Sequence, residues 1–197
     1  MSKSTADSRQ QILDAALRQF AAKGYAGASM RDIIAATPFT LPTIYYHFGS
    51  KAGIYHALVE SAHDEAYQRM QAAAARAPDL ETQLVEIAVA MFDFVRKRRE
   101  LTRLAFATAF AAPEELPEEV RDSRKRQRIL DSFEQLMTRA LKAGTLSRQF
   151  DARELAEGVY AAITLQVMRS LLEAQPAPTR RKAERMVRLF LQGAGLD

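Results

Sequence analysis

The sequence predicts an all-α protein. Apolar residues recur at spacings of three and four along most of the chain, no stretch alternates β-branched with aromatic residues, and most Gly and Pro fall between the periodic segments. With 48% hydrophobic and 26% charged residues among 197, the composition is that of a globular chain long enough to bury a real core.

In the first helix Ile12, Leu13, Ala16, Leu17 and Phe20 form one stripe, and Gly24 is placed to close it as the C′ residue. Ser29, followed three residues later by Asp32, is a capping-box-like start for a short second helix. Met30, Ile33 and Ile34 form its inner side, and it stops before Pro38. Thr40 caps a third short helix with Thr43 at N3. Pro42 falls in the first turn, where a missing N–H does no harm, and Ile44 and Phe48 face inward. Gly49 breaks this helix, Ser50 caps a long fourth one over 51–75, and Pro78 ends the pattern. Further helices are predicted at 80–98, 101–111, 118–142, 152–173 and 179–192, separated at Pro113, Pro117, Gly144, Pro176 and Pro178.

The net charge is +4, and its distribution is uneven. Through Lys51 there are six Lys or Arg against three Asp, so the first quarter of the chain carries +3 of that excess, a bias that attracts phosphate. There is no cysteine, which excludes a disulfide framework, a thiolate zinc site and a thiol nucleophile. The start is polar, and Glu86 and Asp93 cut the longest apolar stretch short of a membrane span, so a cytoplasmic protein without a membrane partner is expected.

Three short helices with a tight turn between the second and third make a helix-turn-helix, in which the last helix is presented to the major groove of DNA. The third helix and its exit carry what phosphate and groove contacts require: hydroxyls at Thr40, Thr43 and Tyr45, the His47 imidazole and the Lys51 ammonium. Its N-terminus adds exposed N–H groups and the positive end of the helix dipole.

These segments resemble the DNA-binding module of the tetracycline-repressor (TetR) family. The tokens are I-L-x-A-A-L-x-x-F in the first helix, Gly24-Tyr25, S-M-R-D-I-I-A in the second helix, and T-I-Y-Y-H-F-x-S-K. The resemblance covers Ile12 through Leu58 and implies a DNA-binding domain at 1–50 and a helical ligand-binding and dimerisation domain at 51–197, with helix 51–75 connecting them. It implies that Ser29, Thr43, Tyr45, His47 and Lys51 bind phosphates. Arg31, Thr40, Leu41, Pro42 and Tyr46 would lie near base edges, with Arg31 suited to paired hydrogen bonds on guanine and Leu41 and Pro42 to apolar contact.

The layout of the rest matches the family as well: two long last helices that pack on a second subunit. A homodimer is expected because one recognition helix reads too few base pairs, and two must reach successive major grooves of a palindromic operator in double-stranded DNA. Leu155, Val159, Ala162, Ile163 and Met168, with Met186, Leu189 and Phe190, are candidates for that seam or for monomer core. Candidates for an effector pocket are Met91 and Phe94, then Phe106 and Phe110, then Phe133, Met137, Tyr160 and Met168, which points to a small apolar or aromatic molecule. No cofactor is implied.

Two other readings compete. His56, Glu60 and His63 share one helix face in the spacing of a helical metal site, which would make a metal-dependent enzyme, but such a site needs a second copy and the only other histidine is His47. Arg121, Arg124, Lys125 and Arg128 form a basic stripe that a nonspecific nucleic-acid binder would use and that a solvated face also explains.

Overall fold

The computed structural model describes residues 5–121, 124–173 and 176–194, and every regular element among them is helical. The helices are α1 (Thr5–Gly27), α2 (Met30–Ala35), α3 (Leu41–Phe48), α4 (Lys51–Ala74), α5 (Leu80–Lys97), α6 (Arg99–Phe110), α7 (Arg124–Lys142), α8 (Ala152–Leu172) and α9 (Arg180–Ala194). A single 3-10 turn at Glu118–Val120 stands where the periodicity begins its expected helix 118–142, and the regular helix starts only at Arg124. Gly24 does interrupt α1, with φ 70° and ψ 176°, but helical backbone resumes and carries the element to Gly27.

The chain folds into two compact units, the first made of residues 1–63 with 100–123 and the second of 64–99 with 124–197. The expected boundary at 50/51 follows the break at Gly49 and Ser50, whereas the units divide inside α4, after His63.

In the first unit Ile12, Phe20, Ile33, Ile44, Ile54 and Leu58 form the core, which ties the three N-terminal helices to the first half of α4. Phe20, Tyr25 and Tyr55 pack as an aromatic cluster, with the Tyr55 ring edge-on to both others at 4.9 and 5.1 Å. The Tyr55 hydroxyl is buried and pairs with the Thr108 hydroxyl at 3.2 Å, so α6 is joined to α4 by a satisfied polar contact inside an apolar core.

The second unit buries Leu84, Ile87, Phe92, Phe133, Met137 and Val187. Leu155, Val159 and Ile163 are 4%, 1% and 2% exposed in the single chain, so of the two alternatives these three take the core. Among the described residues the large apolar side chains that α8 and α9 leave in solvent are Leu165, Leu172 and Leu189, at 54%, 78% and 74%. Asp151 caps α8 and closes a capping box with Glu154. Three charge contacts clamp the helices: Arg180 forks onto Glu86 at 2.7 and 2.9 Å, Arg153 reaches Glu134 at 2.9 Å, and Asp64 accepts from Lys125 at 2.6 Å and Arg128 at 2.7 Å. The Arg128 guanidinium also covers the Tyr67 ring at 3.9 Å. Lys125 and Arg128, two members of the basic stripe, are therefore engaged within the fold.

Candidate nucleic-acid interface

The second and third helices are held by short-range bonds that the chain supplies locally. Ser29 accepts from the Asp32 backbone N–H at 3.2 Å, and Asp32 in return accepts from the Ser29 N–H at 2.9 Å and hydroxyl at 2.6 Å, the expected capping box. Asp32 also takes a 2.6 Å bond from Lys23, and this ammonium, with the two bonds from Ser29, holds its carboxyl far below the usual carboxylate range. The one acidic residue between 29 and 51 is thus charge-compensated.

The turn from α2 into α3 is tied by Thr37. Its hydroxyl donates to the Ile34 carbonyl at 3.1 Å and accepts from the Phe39 N–H at 3.3 Å, which closes the turn without a glycine. Thr40 occupies the N-cap of α3 as expected, but its side chain makes no capping bond to the backbone; its hydroxyl instead pairs with the Thr43 hydroxyl at 3.1 Å.

Three contacts seat α3. Ile44 is fully buried beneath it, the Arg9 guanidinium lies 5.2 Å from the Phe48 ring, and His47 Nε2 lies 3.4 Å from the Ser8 hydroxyl. At the exit Gly49 takes φ 71°, a conformation that favours glycine, and its N–H closes the helix on the Tyr45 carbonyl. The first turn of α4 then approaches so closely that a Cβ on Gly53 would overlap the Phe48 carbonyl oxygen. Lys51 completes the frame: its ammonium donates to the carbonyls of Tyr25 and Ala28 at 3.0 and 3.1 Å and stands 4.3 Å from the Tyr25 ring, and so caps the end of α1.

Of the ten residues expected at DNA, Arg31, Thr40, Leu41, Pro42, Tyr45 and Tyr46 are exposed. Tyr46 is 80% exposed, Tyr45 47% and Leu41 40%. Ser29, Thr43, His47 and Lys51 are engaged in the intramolecular contacts just described. Sequence reasoning missed Thr37, Ser8, Arg9 and Gly53. Only Gly53 carries a signal, since a glycine inside a helical pattern calls for a packing reason.

The eight expected effector residues are divided between the two units. Phe106 and Phe110 belong to the first unit, and Phe110 is 72% exposed. Met91, Phe94, Phe133, Met137, Tyr160 and Met168 belong to the second. There Phe133 and Met137 are buried, the rings of Phe133 and Tyr160 lie 5.8 Å apart, and the Arg69 guanidinium lies 5.9 Å from the Phe94 ring. A cleft of about 490 Å³ in the first unit, against Phe20, Tyr25, Tyr55 and Leu104, and one of about 290 Å³ in the second, beside Arg169 and Lys182, are lined by none of the eight. His56 Nε2 lies 3.7 Å from Glu60, and among the described residues no three His, Asp or Glu side chains come close enough to hold a metal. Among the described residues no helix is long and apolar enough to cross a membrane.

The fold and this exposed third helix define a helix-turn-helix protein with an all-helical companion unit. Residues 12–58 match the model of the bacterial regulatory proteins, tetR family. The HTH-type transcriptional repressor AcnR of Corynebacterium glutamicum is 44% identical over 52 residues, 26% of this chain and 28% of that protein. The HTH-type transcriptional activator FasR of Mycolicibacterium smegmatis is 27% identical over 113 residues, 57% of this chain and 52% of that protein. The matches span about half, or less, of the length of such curated relatives. Over nearly the whole chain the fold is that of FadR from Bacillus subtilis, solved in complex with stearoyl-CoA, with a TM-score of 0.81 at 18% identity and coverage of 93% of this chain and 98% of that one. The likeness to the tetR family of bacterial regulatory proteins is thus carried by the N-terminal segment, residues 12–58.

Proposed function

We propose that the chain is a cytoplasmic homodimeric transcriptional repressor that binds a palindromic operator in double-stranded DNA and is released from it by a small apolar or aromatic ligand. The observation that carries this reading is the exposed face of α3, where Leu41, Tyr45 and Tyr46 stand in solvent above a helix anchored from below by Ile44 and from behind by the Phe48–Gly53 contact. A rigidly held helix with its outer side chains free is what a groove reader requires.

In this reading Arg31, Thr40, Leu41, Pro42 and Tyr46 face base edges. Tyr45, Thr43 and His47 meet phosphates, and Ser29 and Lys51 serve the interface by fixing the backbone beneath it. Repression is favoured by the likeness to AcnR, while FasR carries the opposite sign. The stearoyl-CoA held by the FadR neighbour, whose acyl chain is apolar, supports the apolar alternative. The ligand would enter among Met91, Phe94, Phe133, Met137, Tyr160 and Met168, where the methionines can repack around it. Because α4 runs through both units without a break, a shift of its second half is carried to its first.

Footprinting on genomic fragments tests the reading. The expected result is a discrete site with two protected half-sites about 10 base pairs apart, centre to centre, or a multiple of that. Uniform coating that disappears with added salt overturns it in favour of a nonspecific basic binder.

A further inference from the structure

The outward pole of α3 holds almost nothing that can hydrogen-bond to a base. Ile44 marks the inward direction, and at 100° per residue Pro42 and Tyr46 stand opposite it, one turn apart. Both are exposed, and Leu41 and Tyr45 are exposed with them. From Leu41 to Phe48 there is no Arg, Lys, Asn, Gln, Asp or Glu, the side chains whose hydrogen bonds tell guanine, adenine and cytosine apart in the major groove, and a threonine hydroxyl, which can bond to either kind of base, does not. Thr43, paired with Thr40, and the half-exposed Tyr45 each stand about 100° from Ile44, and His47 lies beside Ser8, so the Tyr46 phenol is the polar group that stands opposite Ile44. Arg31 is the only arginine between 29 and 51, and it is exposed on α2.

Resting on the reading of α3 as the groove element, we propose that this chain recognises its operator through methyl groups: Pro42, Tyr46 and Leu41 seat against thymine 5-methyl groups, and Arg31 alone supplies paired hydrogen bonds, to a guanine. The 5-methyl group is the apolar feature that the major groove offers, and thymine carries it. A proline ring and two large side chains bury such a methyl well and discriminate poorly among the polar edges. The operator half-site is therefore a thymine-containing step beside a guanine. A second consequence follows, because 5-methylcytosine places the same methyl group in the same part of the groove: a cytosine introduced at a contacted thymine position weakens binding less when it is methylated.

The test uses the full chain and the duplex it selects from a randomised library. Thymines of each half-site are replaced in turn by uracil, which removes the methyl group and keeps the pairing. Affinity is expected to fall about four-fold for each contacted methyl, the worth of one buried methylene-sized group. Cytosine and 5-methylcytosine at the same positions are expected to differ in the same direction. Tyr46→Phe keeps the thymine preference and Tyr46→Ala loses it; at 80% exposure neither change disturbs the core. Equal affinity for thymine and uracil throughout both half-sites overturns the proposal. So does loss of the preference in Tyr46→Phe, which would assign the reading to the hydroxyl. Selection of no sequence at all overturns the assignment of DNA binding itself, and is told apart from these outcomes by the empty library.

Discussion

A Cβ on Gly53 would overlap the carbonyl oxygen of Phe48 and stand 3.1 Å from its carbonyl carbon, so the last turn of α3 and the first turn of α4 touch backbone to backbone. No side chain can yield there to make room. Gly53→Ala is expected to displace α3 or to lose on the order of 1–3 kcal/mol of stability, the usual range for overpacking. Operator affinity should fall with it. Gly193, with open space around it, is the control. Denaturant unfolding of the two alanine variants decides the matter, and equal midpoints would refute the close contact.

Lys51 offers a second test. An ammonium on two carbonyls and an aromatic face stabilises the free protein, whereas one reserved for phosphate does not. Lys51→Met should lower unfolding stability in the absence of DNA by about 1.5 kcal/mol or more, the range for bonds from charged donors. Unchanged unfolding would return Lys51 to a role at phosphate alone.

Acid sensitivity is expected from Asp64. Burial by itself raises its carboxyl, but bonds from Lys125 and Arg128 outweigh this and hold it below its ordinary 3.8. A folded value depressed in this way gives stability that is complete above the ordinary value and is lost as pH falls through the folded one. Glu86, held down by Arg180, behaves alike. Asp64→Asn should therefore flatten the decline in stability below about pH 4, as followed by denaturant midpoints across pH. A decline identical to that of the parent chain would exclude Asp64 as a contributor.

Leu165 and Leu172 lie two turns apart on α8, both in solvent in the single chain, and Leu189 on α9 is exposed as well. In the proposed homodimer these exposed leucines are the candidates for the seam. Leu165→Glu with Leu172→Glu is expected to yield a folded monomer with little operator affinity. Sedimentation measures the first and gel shift the second. A variant that remains dimeric would move the seam elsewhere.

Much of the local structure was legible in the sequence because its causes are local. Apolar spacing gave the helices, Ser29 and Asp32 gave the capping box, and Gly49 gave the end of α3. Contacts that depend on distant residues left no such trace. Lys51 reads as a free cation until the end of α1 is seen beside it, and Leu155, Val159 and Ile163 read equally well as seam or core until their neighbours are placed. The same limit applies to the effector residues. Phe110 reads in the sequence like any other apolar helix residue, and its 72% exposure in the single chain appears only once the fold is seen.

The pairing of Tyr55 with Thr108 has a practical corollary. The DNA reader is assembled from two stretches of polypeptide, since residues 100–123 complete the unit that 1–63 begins. A chimera meant to graft this specificity onto another effector body must transplant both pieces. A simple cut after the fourth helix would leave the Tyr55 hydroxyl without its mate and open one side of the graft's interior to water.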